Sequence, residues 1–330
     1  MTAGFLDRRV SVAPMMDWTD RHCRYFLRGF APDLLLYTEM VTASAILRGD
    51  TEKLLEYSAA EHPVALQLGG CEPDYLAAAA REGGQWGYDE INLNCGCPSD
   101  KVKKGAFGAC LMNEPVLVAD CVAAMCEAAD DIPVTVKMRM GWDHNSLNAP
   151  ELARIAEGEG VHLITVHGRT RCQLYSGSAD WAFVRNVKDA VKLPVIVNGD
   201  ICSIEDAKTA LLQSGADGVM IGRGAYGKPW LIGQVMAALT GRDVPADPTL
   251  AQQHALVKEH YALMLDLYGE LNGVNIARKH LGWYTKGLHD SAVFRNKVNF
   301  VPDSATVLAM IEQFYEAQAS LPPRPAALAA

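Results

Sequence analysis

The chain has 330 residues, 49% of them hydrophobic and 21% charged, the balance of an ordinary soluble protein with room for one large domain and a small one. A net charge of −9 excludes a nucleic-acid binder that works through overall basicity, so a polyanion partner would have to engage local patches. No apolar run approaches a membrane span, Met1 to Arg9 lack the order of a signal peptide, and nine cysteines show no framework spacing, so a cytoplasmic protein without membrane partners is expected.

Eight short apolar runs follow in chain order, at 10–13, 34–38, 64–68, 90–94, 134–138, 163–167, 195–198 and 218–221, each separated by a segment long enough for a crossover helix. Strands alternating with helical patterns predict parallel βαβ units, and eight of them predict a (β/α)8 TIM barrel with its active site at the carboxy ends of the strands. Alternation within the runs supports this. Thr135, Lys137 and Arg139 share one face and Val134, Val136 and Met138 the other; Thr165, His167 and Arg169 oppose Ile164 and Val166. Ala65, Gln67 and Gly69 oppose Val64, Leu66 and Leu68, while Asn92 and Asn94 oppose Ile91 and Leu93. The polar sets are assigned to the barrel interior, where Gln67, Asn94, Lys137, Arg139 and His167 converge near the mouth. Solvated strand ends are the competing reading.

The strand termini carry the candidate chemistry. After the seventh and eighth strands come Asn198-Gly199-Asp200 and Gly222-Arg223-Gly224, where close backbone approach and one guanidinium suit a phosphate. No GxGxxG follows the first strand, so flavin mononucleotide (FMN) is favoured over a dinucleotide site. Gln67 and Lys137 would meet the polar edge of its ring, with Ala13-Pro14-Met15-Met16 beneath. Cys97, before Pro98 in a glycine-containing loop, is a candidate proton donor, and Cys95 is its rival, which spacing does not separate. The CxC pair has no partners at ligand spacing, so no metal is expected.

The barrel is assigned to 1–240 and a linker to 241–248, rich in turn residues. A helical domain is expected over 249–319. Its first helix carries the stripe Val257, Tyr261, Met264 and Tyr268, widened by Leu256, Leu263 and Leu267, and two helical stretches follow around 275–286 and 304–319. The Pro/Ala-rich 320–330 is expected to be a disordered tail. Basic patches run through Arg278, Lys279, Lys286, Arg295 and Lys297, and through Lys101, Lys103 and Lys104.

Taken together, Ala13-Pro14-Met15-Met16, Gln67-Leu68-Gly69-Gly70, Asn94-Cys95-Gly96-Cys97-Pro98-Ser99, Lys137-Met138-Arg139, His167-Gly168-Arg169-Thr170-Arg171, Asn198-Gly199-Asp200 and Gly222-Arg223 resemble the bacterial tRNA-dihydrouridine synthases, in order and over nearly the whole chain. The resemblance implies an FMN barrel with a carboxy-terminal helical domain for tRNA, an enzyme that reduces a D-loop uridine with NADPH and places its proton donor at Cys97. The expected cofactor contacts are Pro14, Met15, Met16, Gln67, Lys137, His167, Asn198, Gly199, Asp200, Gly222 and Arg223. Substrate contacts are expected from Asn94, Lys137, Arg139, His167 and Arg169 at the mouth, and from Lys101, Lys103, Arg278, Lys279 and Lys297 on the tRNA D-loop and elbow, with a monomer as the working unit. Two departures stand out. Cys95 occupies a position that is usually apolar in the family, and the amino-terminal half resembles the A type while the sequence from Lys137 onward resembles the B type. A barrel acting on a free pyrimidine, like dihydroorotate dehydrogenase, and a tRNA-binding protein without catalysis are the alternatives.

Overall fold

In the computed structural model, which describes residues 6–99, 102 and 104–321, parallel pairing runs almost unbroken around one sheet. Its strands are β1 (Val10–Val12), β2 (Leu36–Tyr37), β3 (Val41–Thr42), β4 (Val64–Gly69), β5 (Glu90–Cys95), β6 (Val134–Arg139), β7 (Leu163–His167), β8 (Val195–Asn198) and β9 (Gly218–Ile221). Neighbours follow the order β1-β9-β8-β7-β6-β5-β4-β2, with β3 also on β4. The gap between β1 and β2 is bridged by Ser11 and Leu35, where the Val12 N–H donates to the Leu35 carbonyl at 3.4 Å. Eight strand positions therefore surround one axis, the (β/α)8 arrangement expected. The second position is built from two short strands, because the chain leaves β4 after Tyr37 and rejoins it at Val41 opposite Leu68.

The outer layer forms for local reasons. Helices Pro73–Gln85, Pro115–Ala128 and Ala149–Gly158 carry proline in their first turn, where no N–H is needed. Asp180 caps Trp181–Lys188 and Ser203 caps Ile204–Ser214 by accepting a backbone N–H from the first turn. These helices cover the apolar strand faces: Val64, Leu66, Leu68, Ile91 and Leu93 are fully buried, each worth about 1.5–3 kcal/mol. Contact is close enough that a Cβ on Gly83 would stand 2.7 Å from Ile91. Inside the barrel, Ala13, Leu35, Tyr37, Ala65, Leu163, Ile196 and Met220 form an apolar plug.

A second unit comprises 225–234 and 244–330, described to residue 321, so its sequence interleaves with that of the barrel unit, 1–224 and 235–243. Tyr226 stacks on Trp283 at 3.9 Å, and Gln234 and Trp230 both donate to Asp247, which ties 225–234 to this unit. The unit's helices are Leu250–Tyr284, Ser291–Val298 and Ser304–Ala319. The first absorbs both the stripe and the 275–286 stretch, with a kink at Gly269 (φ 73°). Val257, Tyr261 and Met264 of the stripe enter the core with Val274, Ala277, Leu281, Ile311 and Phe314, whereas Leu267 faces solvent. The short helix Ser291–Val298 was not anticipated from the sequence. Of the expected tail, 322–330 lies outside the described residues. Among the described residues no helix is long and apolar enough to cross a membrane.

Candidate active site

Strand register assembles the site. Asn94 stands opposite Lys137, Arg139 opposite His167, and His167 opposite Asn198, so the inward-facing polar residues of β5 to β8 end at one level. β5 ends by turning its chain over Asn94, whose Oδ1 accepts the N–H groups of Gly96 at 3.0 Å and Cys97 at 2.8 Å. Arg139 holds the same loop from the next strand, donating from Nε to the Gly96 carbonyl at 2.8 Å. Across the loop, the Ala109 N–H donates to the Cys97 carbonyl, and Gly108 (φ 61°) passes so close that a Cβ there would stand 3.0 Å from that oxygen.

The two candidate thiols separate by parity. Asn94 points inward, so Cys95 points into the helix layer, where it is buried and burial pushes its thiol far above the ordinary range. Cys97 is half-buried, with Sγ 3.6 Å from Ser99 Oγ. Cys97 alone of the pair lies where a ligand at the mouth could reach it.

Positive charge is concentrated around this thiol. Lys137 keeps some solvent contact at the mouth, but burial, followed by the Arg139 charge, brings its pKa down to about 8. His167 is held well below its ordinary value by burial and then by Lys137, Arg139, Arg169 and Arg223, so it is a neutral imidazole at pH 7. Its Nε2 lies 3.3 Å from Arg169 Nη1. Asp200 is the opposing carboxylate. Burial pulls it upward, but hydrogen bonds from Arg169 and the Ala179 N–H, with the charges of Arg169 and Arg223, hold it below the usual carboxylate range.

Two of the residues expected to contact substrate, Arg169 and Arg139, also brace loops. Arg169 directs its N–H groups to Asp200, His167 and the carbonyls of Ser176 and Gly177, which uses every donor of its guanidinium. Arg139, 2% exposed, donates to the Thr170 and Leu174 carbonyls as well as to Gly96. Gln67 is likewise committed, taking an N–H from Asn94 at 2.8 Å and giving one to Asn92 at 2.8 Å.

The expected phosphate ends lie on β8 and β9. Asn198 donates to the Met220 carbonyl at 2.7 Å, and Gly199 (φ 116°) and Asp200 (φ 53°) turn the chain in the left-handed region. A Cβ on Gly222 would meet Ala13 and Met15 at 3.6 Å, which places the end of β9 beside the end of β1. Pro14 and Met15 are half-buried, Met16 is exposed, and Arg223 is half-exposed with only a loose pairing to Asp200 at 3.7 Å. Sequence reasoning missed Tyr175, whose exposed ring has the guanidinium of Arg223 over it at 4.7 Å and that of Arg139 at 5.6 Å. It also missed Glu90, a fully buried carboxylate bonded to Arg8, Tyr37 and Thr135. The strand parity of Asn92 and Thr135 was the available signal.

In the helical unit, Arg278, Lys279, Gly282, Trp283, Arg295 and Asn299 line a cavity of about 390 Å³. Lys297 is exposed nearby in sequence but is not among the lining residues, while Lys101 and Lys103 lie outside the described residues.

Residues 11–319 match the model of the dihydrouridine synthase family. A probable tRNA-dihydrouridine synthase of Rickettsia conorii is 48% identical over 313 residues, 94% of each chain. A tRNA-dihydrouridine(20/20a) synthase of Xanthomonas campestris pv. campestris is 51% identical over 258 residues, covering 74% of this chain and 76% of that protein. Among solved structures, a morphinone reductase mutant in complex with tetrahydroNAD superposes with a TM-score of 0.53 at 15% identity, covering 76% of this chain and 92% of that one, a likeness of fold. With most of its length matched by the family model and by relatives of this identity, the chain belongs to the dihydrouridine synthase family.

Proposed function

We propose that this protein is a tRNA-dihydrouridine synthase that uses FMN and NADPH to reduce the C5=C6 bond of a D-loop uridine, with Cys97 as proton donor. The observation that carries the reading is the half-buried Cys97 thiol beside Lys137 and Arg139, with Arg169 and Arg223 around the neighbouring His167 and Asp200 as the opposing carboxylate. Such an excess of cations fits an anionic, phosphate-bearing cofactor. Arg223, half-exposed and loosely paired, would hold the phosphate with the backbone of Asn198, Gly199, Asp200 and Gly222. Lys137 would face the polar edge of the ring, supported by Gln67 and His167, with Pro14, Met15 and Met16 beneath it. When bound, the flavin supplies hydride to C6 of the uracil.

The protein residues then handle charge and protons. Lys137, mostly protonated at pH 7, and the neutral His167 stabilise the oxygen that gains charge as C5=C6 is reduced. Cys97 delivers the proton to C5. Arg139 and Asn94 act by holding the loop that carries the thiol. The cationic cavity of the helical unit takes tRNA phosphates through Arg278, Lys279 and Arg295, with Lys297 beside it.

The test is single-turnover reduction of unmodified tRNA by the purified, flavin-loaded protein, with dihydrouridine read by mass spectrometry. One dihydrouridine per flavin oxidised in tRNA, and none from free uridine, is the expected result. Equal turnover of free uridine would replace the reading with a small-pyrimidine reductase.

A further inference from the structure

An unbroken run of hydrogen bonds descends through the barrel from the Cys97 loop to Glu90. The Cys97 N–H donates to Asn94 Oδ1 at 2.8 Å, Asn94 Nδ2 to Gln67 Oε1 at 2.8 Å, and Gln67 Nε2 to Asn92 Oδ1 at 2.8 Å. Asn92 Nδ2 then donates to Thr135 Oγ1 at 2.8 Å, and the Thr135 hydroxyl donates to Glu90 Oε1 at 2.6 Å. Glu90 is completely buried; Tyr37 donates to its Oε1 and Arg8 to its Oε2, each at 2.6 Å.

Every bond in this run points the same way, and both ends enforce that direction. A backbone N–H can only donate, so Asn94 must turn its carbonyl upward and its amide nitrogen toward Gln67. Gln67 and Asn92 must then follow in the same sense. At the bottom, a carboxylate paired with Arg8 can only accept, so Thr135 must spend its proton on Glu90 and receive from Asn92. Three side-chain amides, each able to flip when isolated, are thereby held in a single orientation. Chains of this kind strengthen bond by bond, and a wrong link leaves two donors or two acceptors facing each other in a buried site.

We infer that Glu90 and Thr135, both fully buried, are positioning residues for Cys97, acting through the amide polarity of Asn92, Gln67 and Asn94. Without the Thr135 hydroxyl, Asn92 loses its acceptor and the amides above it are held in their orientation from the loop end alone. An inverted Asn94 would present N–H groups to the N–H groups of Gly96 and Cys97 and release the loop. The inference rests on Cys97 being the proton donor, and the test keeps the two claims apart.

The test compares Thr135→Val, which cuts the run, with Thr135→Ser, which retains it, and with Tyr37→Phe, which removes a Glu90 bond outside it. Hydrogen exchange of the peptide spanning 94–97 is measured alongside single-turnover reduction of tRNA. Thr135→Val should raise that exchange about 10-fold and slow the turnover about 10- to 100-fold at an unchanged half-saturating tRNA concentration, since a small misplacement of a catalytic group carries a penalty of that size. Thr135→Ser should restore both to within about twofold of wild type. Tyr37→Phe should lower the melting temperature without raising exchange at 94–97. Wild-type exchange in Thr135→Val, or an equal loss in Thr135→Ser, overturns the inference. If Thr135→Val does not fold, Thr135→Ala makes the same cut with less crowding and is judged by the same outcomes. A Cys97→Ala protein that turns over normally would remove the donor assignment, while the exchange data would still decide whether the run holds the loop.

Discussion

Arg169 and Asp200 form a two-point ion pair across the ends of β7 and β8, with Nη1–Oδ1 at 2.9 Å and Nη2–Oδ2 at 2.6 Å. The guanidinium is 2% exposed, so it depends on that carboxylate for its charge balance, while Arg223 reaches the same carboxylate only at 3.7 Å. Asp200 thus serves a buried cation first and leaves the exposed one available for an anion.

Removing Asp200 should therefore be costly. Asp200→Ala leaves Arg169 buried with its charge uncompensated, and a loss of about 3 kcal/mol is expected in urea denaturation at pH 7. Because the folded-state pKa of Asp200 is lowered from 3.8, its stabilisation is present above that value and lost as the pH falls through the folded one. The wild type and Asp200→Ala should accordingly converge in stability at strongly acid pH; a constant gap would show that the ion pair is not its source.

Lys137 should behave in the opposite sense. Its folded pKa of about 8 lies below the ordinary 10.5, so the buried ammonium opposes folding at pH below 8 and the opposition fades as pH rises toward 10.5. Lys137→Met should be the more stable apoprotein at neutral pH, by up to about 3 kcal/mol, with the difference disappearing in strong alkali. The same variant should lose tRNA reduction. Denaturation curves from pH 6 to 11 check the first statement and single-turnover assays the second.

The two thiols should divide by chemistry. Cys97→Ala should lose roughly 10²- to 10⁴-fold in tRNA reduction while NADPH still reduces the flavin. Cys95→Ala should retain tRNA reduction and lose about 1 kcal/mol of stability, since its sulfur fills the wall between strand and helices. Native-state alkylation followed by peptide mapping should label Cys97 and spare Cys95 until the protein unfolds; labelling of Cys95 in the folded state would contradict the parity described above.

For the helical unit, Lys279→Ala and Arg295→Ala should each weaken tRNA binding and lower the slope of log affinity against log salt by about 1. Filter binding between low and moderate salt reads this directly. An unchanged slope in both would place the phosphate contacts elsewhere.

Much of the barrel was readable because its signals are local. Each strand declares its faces by alternation, and Asn94, Lys137, His167 and Asn198 stand at strand ends that a parallel barrel must bring to one rim. The short helix Ser291–Val298 and the grouping of 225–234 with the helical unit were not readable, because Tyr226 meets Trp283 only through tertiary folding.

The sequence by itself determined the eight strand positions, though not the splitting of the second into two short strands, as well as the inward set of polar residues and the motif that marks the family. Only the tertiary structure decided what each inward residue meets. Gln67, Arg139 and Arg169 have the chemistry of ligand contacts, and folding also gives them protein partners: Gln67 and Arg139 brace the amides and loop at Cys97, and Arg169 the turns at Ser176, Gly177 and Asp200. Glu90 meets its partners only in the folded chain, since Arg8 lies 82 positions away and Thr135 lies 45. Alternation assigns a side chain to a face, but hydrogen-bond polarity is a property of the assembled set, and it exists only once every strand has delivered its donor or acceptor.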